Sequence, residues 1–340
     1  MPAVRHSSPS VNAPPSALQT QSFNYPRTNP RSPAGGFVKV RAYAKINLFL
    51  DVLGKRSDGY HDIISVMQTL DLHDELRIEP VASGVELTCN DKTLPTDESN
   101  LVVRAANALI NECNISHGFK VHLHKRIPMG AGLAGGSADC AATLTGINKL
   151  CGLNLSQQTL LKIGSTLGAD VPFCLTGGTA LTEGIGEKIT PLAPLPDCFI
   201  VVACPGIHVS TAQIFQKVRP AVRPAHSDNR GHVCKTTHSL EAGDHLHRIN
   251  DMLAAIQEKN LPQICSSIYN VFTPITSSIH PEIPALIAKL KNLGAIAAQM
   301  TGTGSAVFAI FENSAAQASN IMKNENSVFL TKPWATPGAK

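Results

Sequence analysis

The run from Pro128 to Asp139, Pro-Met-Gly-Ala-Gly-Leu-Ala-Gly-Gly-Ser-Ala-Asp, constrains this chain more than any other stretch. Gly130, Gly132, Gly135 and Gly136 interleave with small residues, and a helical pattern follows from Cys140 to Leu150. Glycine admits positive φ and lets the backbone come close to a ligand. A helix start adds unpaired N–H groups and the positive end of a dipole. Together they make a cradle for phosphate oxygens. The same composition also suits a plain turn between strand and helix, and the loop alone leaves both readings open. No Walker A motif occurs in the chain, and the loop is not taken as the opening of a dinucleotide-binding unit.

Bulk properties narrow the class. At 340 residues two domains are expected. A hydrophobic content of 43% fits a globular protein, and no apolar run approaches the roughly 20 residues of a membrane helix, so no membrane partner is expected. A formal charge of +4 suits an anionic small-molecule substrate and gives no nucleic-acid signature. Nine cysteines without a Cys-x-x-Cys point to reduced thiols and a cytoplasmic setting, with Cys174 and Cys204 as core residues. Thirteen histidines lack zinc spacing, so no metal ligand is assigned. Residues 1–36 are rich in Pro and Ser, and no acidic residue precedes Asp51. They are expected to form a disordered tail, with a plastid transit peptide as the alternative.

The expected fold class is α+β in two domains. Val38 to Val52 alternates as a half-buried strand, which puts Lys45 and Asn47 side by side on its polar face. Strand patterns recur at 63–70, 75–78, 85–89, 119–123, 179–183, 198–203, 295–299 and 306–311. Helical patterns cover 100–113, 140–150, 156–167, 250–259, 261–269, 281–293 and 314–323. The expected divisions are a domain over 37–194, a second over 195–331 carrying a polar insertion at about 220–247, and a tail at 332–340.

Two further places draw attention on chemical grounds. Asp170, in Leu167-Gly-Ala-Asp-Val-Pro-Phe173, sits at an exposed corner, as a turn former or as a general base that accepts a hydroxyl proton. Lys45 and Asn47 are either solvated residues or partners to that chemistry, since an ammonium steadies charge on a transferring phosphoryl group. Tyr60 and His61, after the turn Gly54–Gly59, either stack on a flat base or anchor a loop.

Taken together, Ala44-Lys-Ile-Asn-Leu-Phe-Leu50, Arg56-Ser-Asp-Gly-Tyr-His61, the 128–139 loop, Leu167-Gly-Ala-Asp-Val-Pro172 and Thr301-Gly-Thr-Gly-Ser305 resemble the GHMP kinase superfamily in order and spacing. The resemblance runs from about Val38 to Phe311 and is most specific to the branch whose acceptor carries a cytidylyl group. It implies a two-domain fold, with a ribosomal-protein-like N-terminal domain that binds ATP and a ferredoxin-like C-terminal domain. It also implies ATP-dependent phosphorylation of the C2 hydroxyl of a cytidylyl methylerythritol, with Mg²⁺ on the phosphates. Lys45 and Asp170 match the family's catalytic pair. Pro128, Met129, Gly130, Ala131, Gly132, Leu133, Ala134, Gly135, Gly136, Ser137 and Ala138 match its ATP loop. Asn47, Tyr60, His61, Thr211 and Phe215 match substrate contacts, and a monomer or weak homodimer is implied. Ala134 stands where the family often has glycine, which suits a position of negative φ. Kinases of mevalonate, phosphomevalonate or homoserine and a non-catalytic nucleotide-binding relative are the alternatives.

Overall fold

The structure, a computed structural model, describes residues 36–218, 239–312 and 327–335. The expected tail before residue 36, most of the 220–247 insertion and the expected helix at 314–323 lie outside these residues. The insertion's last part does not stay irregular, because helix α6 (Ser239–Gln257) already begins there.

Two long strands organise the N-terminal half. β1 (Val38–Lys55) pairs antiparallel with β2 (His61–Val81), the latter absorbing both strands expected at 63–70 and 75–78. The far half of β2 pairs with β4 (Gly118–His124), which is parallel to β3 (Val85–Cys89). Its near half pairs with β5 (Thr179–Gly184), which forms a hairpin with β6 (Lys188–Pro191). α1 (Leu101–Cys113) and α2 (Gly135–Leu150) pack on this sheet, and α3 (Gln157–Leu167) packs on those helices. Asn100 and Ser156 cap the first and third of these, each side chain accepting a backbone N–H. The second sheet runs β11 (Val328–Thr331), β7 (Phe199–Ala203), β10 (Val307–Phe311), β9 (Ala297–Met300), antiparallel throughout.

The two sheets share apolar packing. Val38 and Ala42 of β1 lie under the helices, whereas Ala44, Ile46 and Leu48 pack with Ile200 and Val202 of β7 and Phe308 of β10. The changeover coincides with a register shift between Tyr43 and Lys45. β1 is therefore buried on both faces from Ala44 to Val52, and Lys45 and Asn47, expected on a solvated face, are 3% and 1% exposed. A strand covered on both sides cannot be told from a half-covered one by local alternation. A short parallel pairing, Phe49 and Leu50 with Tyr269 and Asn270 of β8 (Tyr269–Asn270), ties the second half of the chain to the edge of the first sheet.

Three differences bear on the site. α2 starts at Gly135 rather than Cys140, so Gly135 to Ala138 form its first turn. Residues 332–335 are not a free tail: Pro333 bridges to Leu70, and the Trp334 ring stacks on Tyr43 at 4.7 Å. The loop glycines do carry the Gly130-x-Gly132-x-x-Gly135 spacing of a dinucleotide fingerprint, contrary to the expectation. The frame that motif needs is missing, since β4 and the next strand, β5, are separated by antiparallel β2.

Small residues let α2 sit close on the sheet. A Cβ added at Gly146 would lie 2.7 Å from Ile78 Cδ1 and 3.4 Å from Val40 Cγ2. Gly146→Val is expected to lower unfolding free energy by about 1–3 kcal/mol, the scale of overpacking. Urea denaturation monitored by circular dichroism measures it, and an unchanged midpoint would contradict this packing.

Candidate active site

A cleft of about 810 Å³ opens between the two halves. Pro128 to Ser137 form one wall, with Leu94, Pro95, Ser99 and Asn100 beside them. Lys45, Asn47 and Asp170 reach it from the first sheet and its helices, and Thr211, Phe215 and Gly302–Gly304 reach it from the other half.

The loop's shape follows from its backbone. Gly130 and Gly132 have φ of 63° and 82°. A Cβ at Gly132 would stand 2.4 Å from the Thr301 carbonyl oxygen, so the first glycine loop can meet the second only without a side chain there. Ala134 also adopts positive φ, 56°, against the expectation of a negative value. It serves as N-cap of α2 and makes no side-chain cap bond. The first intrahelical bond runs from Ala138 N to Ala134 O. By helix geometry the amides of Gly135, Gly136 and Ser137 are left to face a ligand. Ala138 itself does not line the cleft: its amide is used and its side chain is buried among α1 and α2.

Lys45 and Asn47 share one side of β1, and their polar groups are engaged. Lys45 Nζ donates to Asn47 Oδ1 at 2.8 Å and to Gly132 O at 3.1 Å. Asn47 Oδ1 also accepts from Thr301 Oγ1 at 3.2 Å and Gly302 N at 3.1 Å, while Asn47 Nδ2 donates to Ser65 Oγ at 2.9 Å. Asn47 is thus first a strut between β1 and the second glycine loop. Lys45 Nζ lies 3.8 Å from Asp170 Oδ2. Asp170 is the N-cap of α4 (Val171–Thr176), yet its side chain makes no capping bond. A carboxylate kept only to form a turn would bond its own backbone. This one is left for the ammonium and the cleft.

Thr211 begins α5 (Thr211–Lys217), and its hydroxyl meets Thr303 Oγ1 at 3.0 Å. Phe215, on the same helix, lies 4.6 Å from Phe272 and 5.2 Å from His61 between ring centroids. Tyr60 and His61 do not line the cleft described above. Tyr60 is 42% exposed on a turn held by Asp58, whose Oδ1 accepts from Tyr60 N, and His61 reaches the cleft edge through Phe215. Burial, and secondarily Lys55, hold the His61 pKa below its ordinary value.

A buried ionic group beneath the loop has no counterpart in the motifs. Lys125 Nζ bridges Asp74 and Asp139, the latter at 2.8 Å. Asp74 Oδ1 also accepts from Arg126 N and Ile127 N, fixing the entry to the loop. Asp139 Oδ1 is buried with no hydrogen-bond partner. Burial pushes the Asp139 carboxyl up to about 8. The three residues are far apart in sequence and follow no period. The one signal is an acidic residue directly after the small-residue loop.

The GHMP kinases N terminal domain profile matches residues 100–178, and the GHMP kinases C terminal profile matches residues 252–327. A 4-diphosphocytidyl-2-C-methyl-D-erythritol kinase of Lachnoclostridium phytofermentans is 41% identical over 277 residues, covering 81% of this chain and 88% of that one. Its counterpart in Bacillus subtilis is 38% identical, covering 80% and 87%. The chain belongs to the 4-diphosphocytidyl-2-C-methyl-D-erythritol kinase family, within the GHMP kinases. A crystal structure of 4-(cytidine 5'-diphospho)-2C-methyl-D-erythritol kinase superposes with a TM-score of 0.70 at 30% identity, covering 88% of this chain and all of that one. Mevalonate kinase of L. major, solved with R-mevalonate, has a TM-score of 0.67 at 15% identity and shares the fold, covering 90% and 99%.

The family resemblance leaves the buried charge to be tested on its own. Asp139 holds its proton in the folded chain to higher pH than the 3.8 of an ordinary aspartate. The native state therefore binds more protons than the unfolded chain between those values, and stability falls as pH rises through that window. Asp139→Asn removes this dependence. Its melting temperature relative to the natural protein is expected to rise from pH 5 to pH 8.5, read by thermal melts. A difference that stays constant would contradict the buried-carboxyl assignment.

Proposed function

We propose that this chain transfers the γ-phosphoryl group of ATP to the C2 hydroxyl of 4-diphosphocytidyl-2-C-methyl-D-erythritol, the acceptor for which its relatives are named. The observation that carries the reading is the meeting of Asp170 with Lys45, 3.8 Å apart, in the cleft walled by the glycine loop. The loop amides hold the ATP phosphates. Asp170 takes the proton of the C2 hydroxyl as that oxygen bonds to the γ-phosphorus, the bond to the β–γ bridging oxygen breaks, and ADP leaves. Lys45, tied to Asn47 and Gly132, places a fixed positive charge beside the attacking oxygen and the transferring group.

Mg²⁺ bound with ATP would neutralise phosphate charge. The Ser137 hydroxyl, on the first turn of α2 and in the cleft wall, would be the side chain to hold it. Phe215, with His61 against it at the cleft edge, supplies aromatic surface for the cytosine. Mevalonate and homoserine have no base to use it.

ADP release with ATP, Mg²⁺ and each candidate alcohol tests the reading. Turnover is expected with the cytidylyl acceptor, and turnover only with mevalonate, phosphomevalonate or homoserine would replace it. Asp170→Asn should lower kcat by at least about a hundredfold while nucleotide binding persists, the scale of general-base loss. Near-normal kcat in that variant would remove Asp170 from the chemistry.

A further inference from the structure

The hairpin joining β5 and β6 has a tip, Gly184-Ile185-Gly186-Glu187, to which neither the motifs nor the proposed chemistry gives a role. It is tightly made. Gly184 and Gly186 have φ of 72° and 119°, and Ile185 N donates to Glu187 Oε2 at 2.7 Å. The tip is pressed against the Asp170 corner: a Cβ on Gly186 would stand 3.2 Å from the Ala169 carbonyl oxygen. Ile185, next to Gly186 in the chain, lines the same cleft as Ala169 and Asp170.

The cleft has apolar as well as polar lining: Leu50, Ile63, Met67 and Phe272 line it and are buried, whereas Ile185 remains half-buried. A branched side chain is thus held partly uncovered in the cleft that also holds the Asp170 carboxylate. Phosphates and hydroxyls gain nothing from such a neighbour, whereas an alkyl branch does. In the acceptor proposed above, the carbon bearing the reacting hydroxyl also carries a methyl group.

We infer that Ile185 is a specificity-determining residue that covers the methyl branch at the phosphorylated carbon. The inference rests on the proposed acceptor. Gly186, close against the Ala169 carbonyl, ties the hairpin that carries Ile185 to the corner that carries Asp170. Selection follows: an unbranched acceptor leaves Ile185 uncovered and loses orientation of its hydroxyl.

The test compares kcat/KM for the methyl-branched cytidylyl acceptor with that for its unbranched cytidylyl erythritol analogue. One methyl in an apolar pocket is worth about tenfold or more, so the natural protein is expected to prefer the branched acceptor by about that factor. Ile185→Ala should narrow the preference at least about threefold with the KM for ATP unchanged, and Ile185→Val should keep most of it. A merely structural role would lower both acceptors alike. If Ile185→Ala does not fold, the Ile185→Val and Ile185→Thr pair decides, because Thr has the shape of Val without its apolar surface. An unchanged ratio in Ile185→Ala, equal ratios in Ile185→Val and Ile185→Thr, or no preference in the natural protein would overturn the assignment. Inertness of the natural protein toward both acceptors would instead overturn the proposed reaction, and this assignment with it.

Discussion

A single buried amide holds the cleft together. Asn47 Oδ1 receives Lys45 Nζ, Thr301 Oγ1 and Gly302 N, and its Nδ2 reaches Ser65 on β2. Asn47 is 1% exposed, so each of these bonds is made away from water, where an unmade one leaves a costly orphan. The second glycine loop is fixed to β1 by this amide. The first is fixed by Lys45 Nζ on Gly132 O, by Lys45 N on Leu133 O, and by Ala306 N on Ala131 O. Two loops about 170 residues apart thus take their positions from one strand. Positioning of this kind supplies much of the rate when little covalent chemistry falls to the protein.

Beneath the first loop the chain also buries charge. Lys125 stands between Asp74 and Asp139 with both partners in hydrogen-bond reach, and Asp74 binds the two amides that lead into the loop. Such a group contributes little net stability compared with apolar residues of the same volume, but removing Lys125 or Asp74 leaves the other's charge uncompensated. It holds the loop's entry and the first turns of α2 in one arrangement. The Asp170 corner is braced separately, by α3 and α4 from within and by the β5–β6 tip from outside. The carboxylate and the glycine loop are therefore set by different elements, and Lys45 joins them.

Much of this was legible in the sequence. The period-2 run placed Lys45 and Asn47 side by side, and the small-residue loop ahead of a helix is one wall of the cleft. What local pattern could not show was depth. Lys45 and Asn47 are buried because the two glycine loops close over their side of β1, the second of them more than 250 positions away. The loop composition concealed that Gly135 to Ala138 are already helical, since glycine is a poor helix former. The short helices α4, α5 and α8 (Thr273–Ile279) gave too few turns for a period to appear, and α4 and α8 carry Pro near their starts. Asp74, Lys125 and Asp139 were invisible as a group because only folding brings them together.

The claim most exposed to test is that Asn47 is a strut for both loops before it is a contact for any ligand. Hydrogen exchange on Asn47→Ala, compared with the natural protein without ligand, measures it directly. The amides of residues 130–134 and 301–305 should both exchange faster, although neither segment adjoins position 47 in sequence. Unchanged protection in both segments, with only the acceptor KM raised, would contradict the account and return Asn47 to the role of a simple substrate contact.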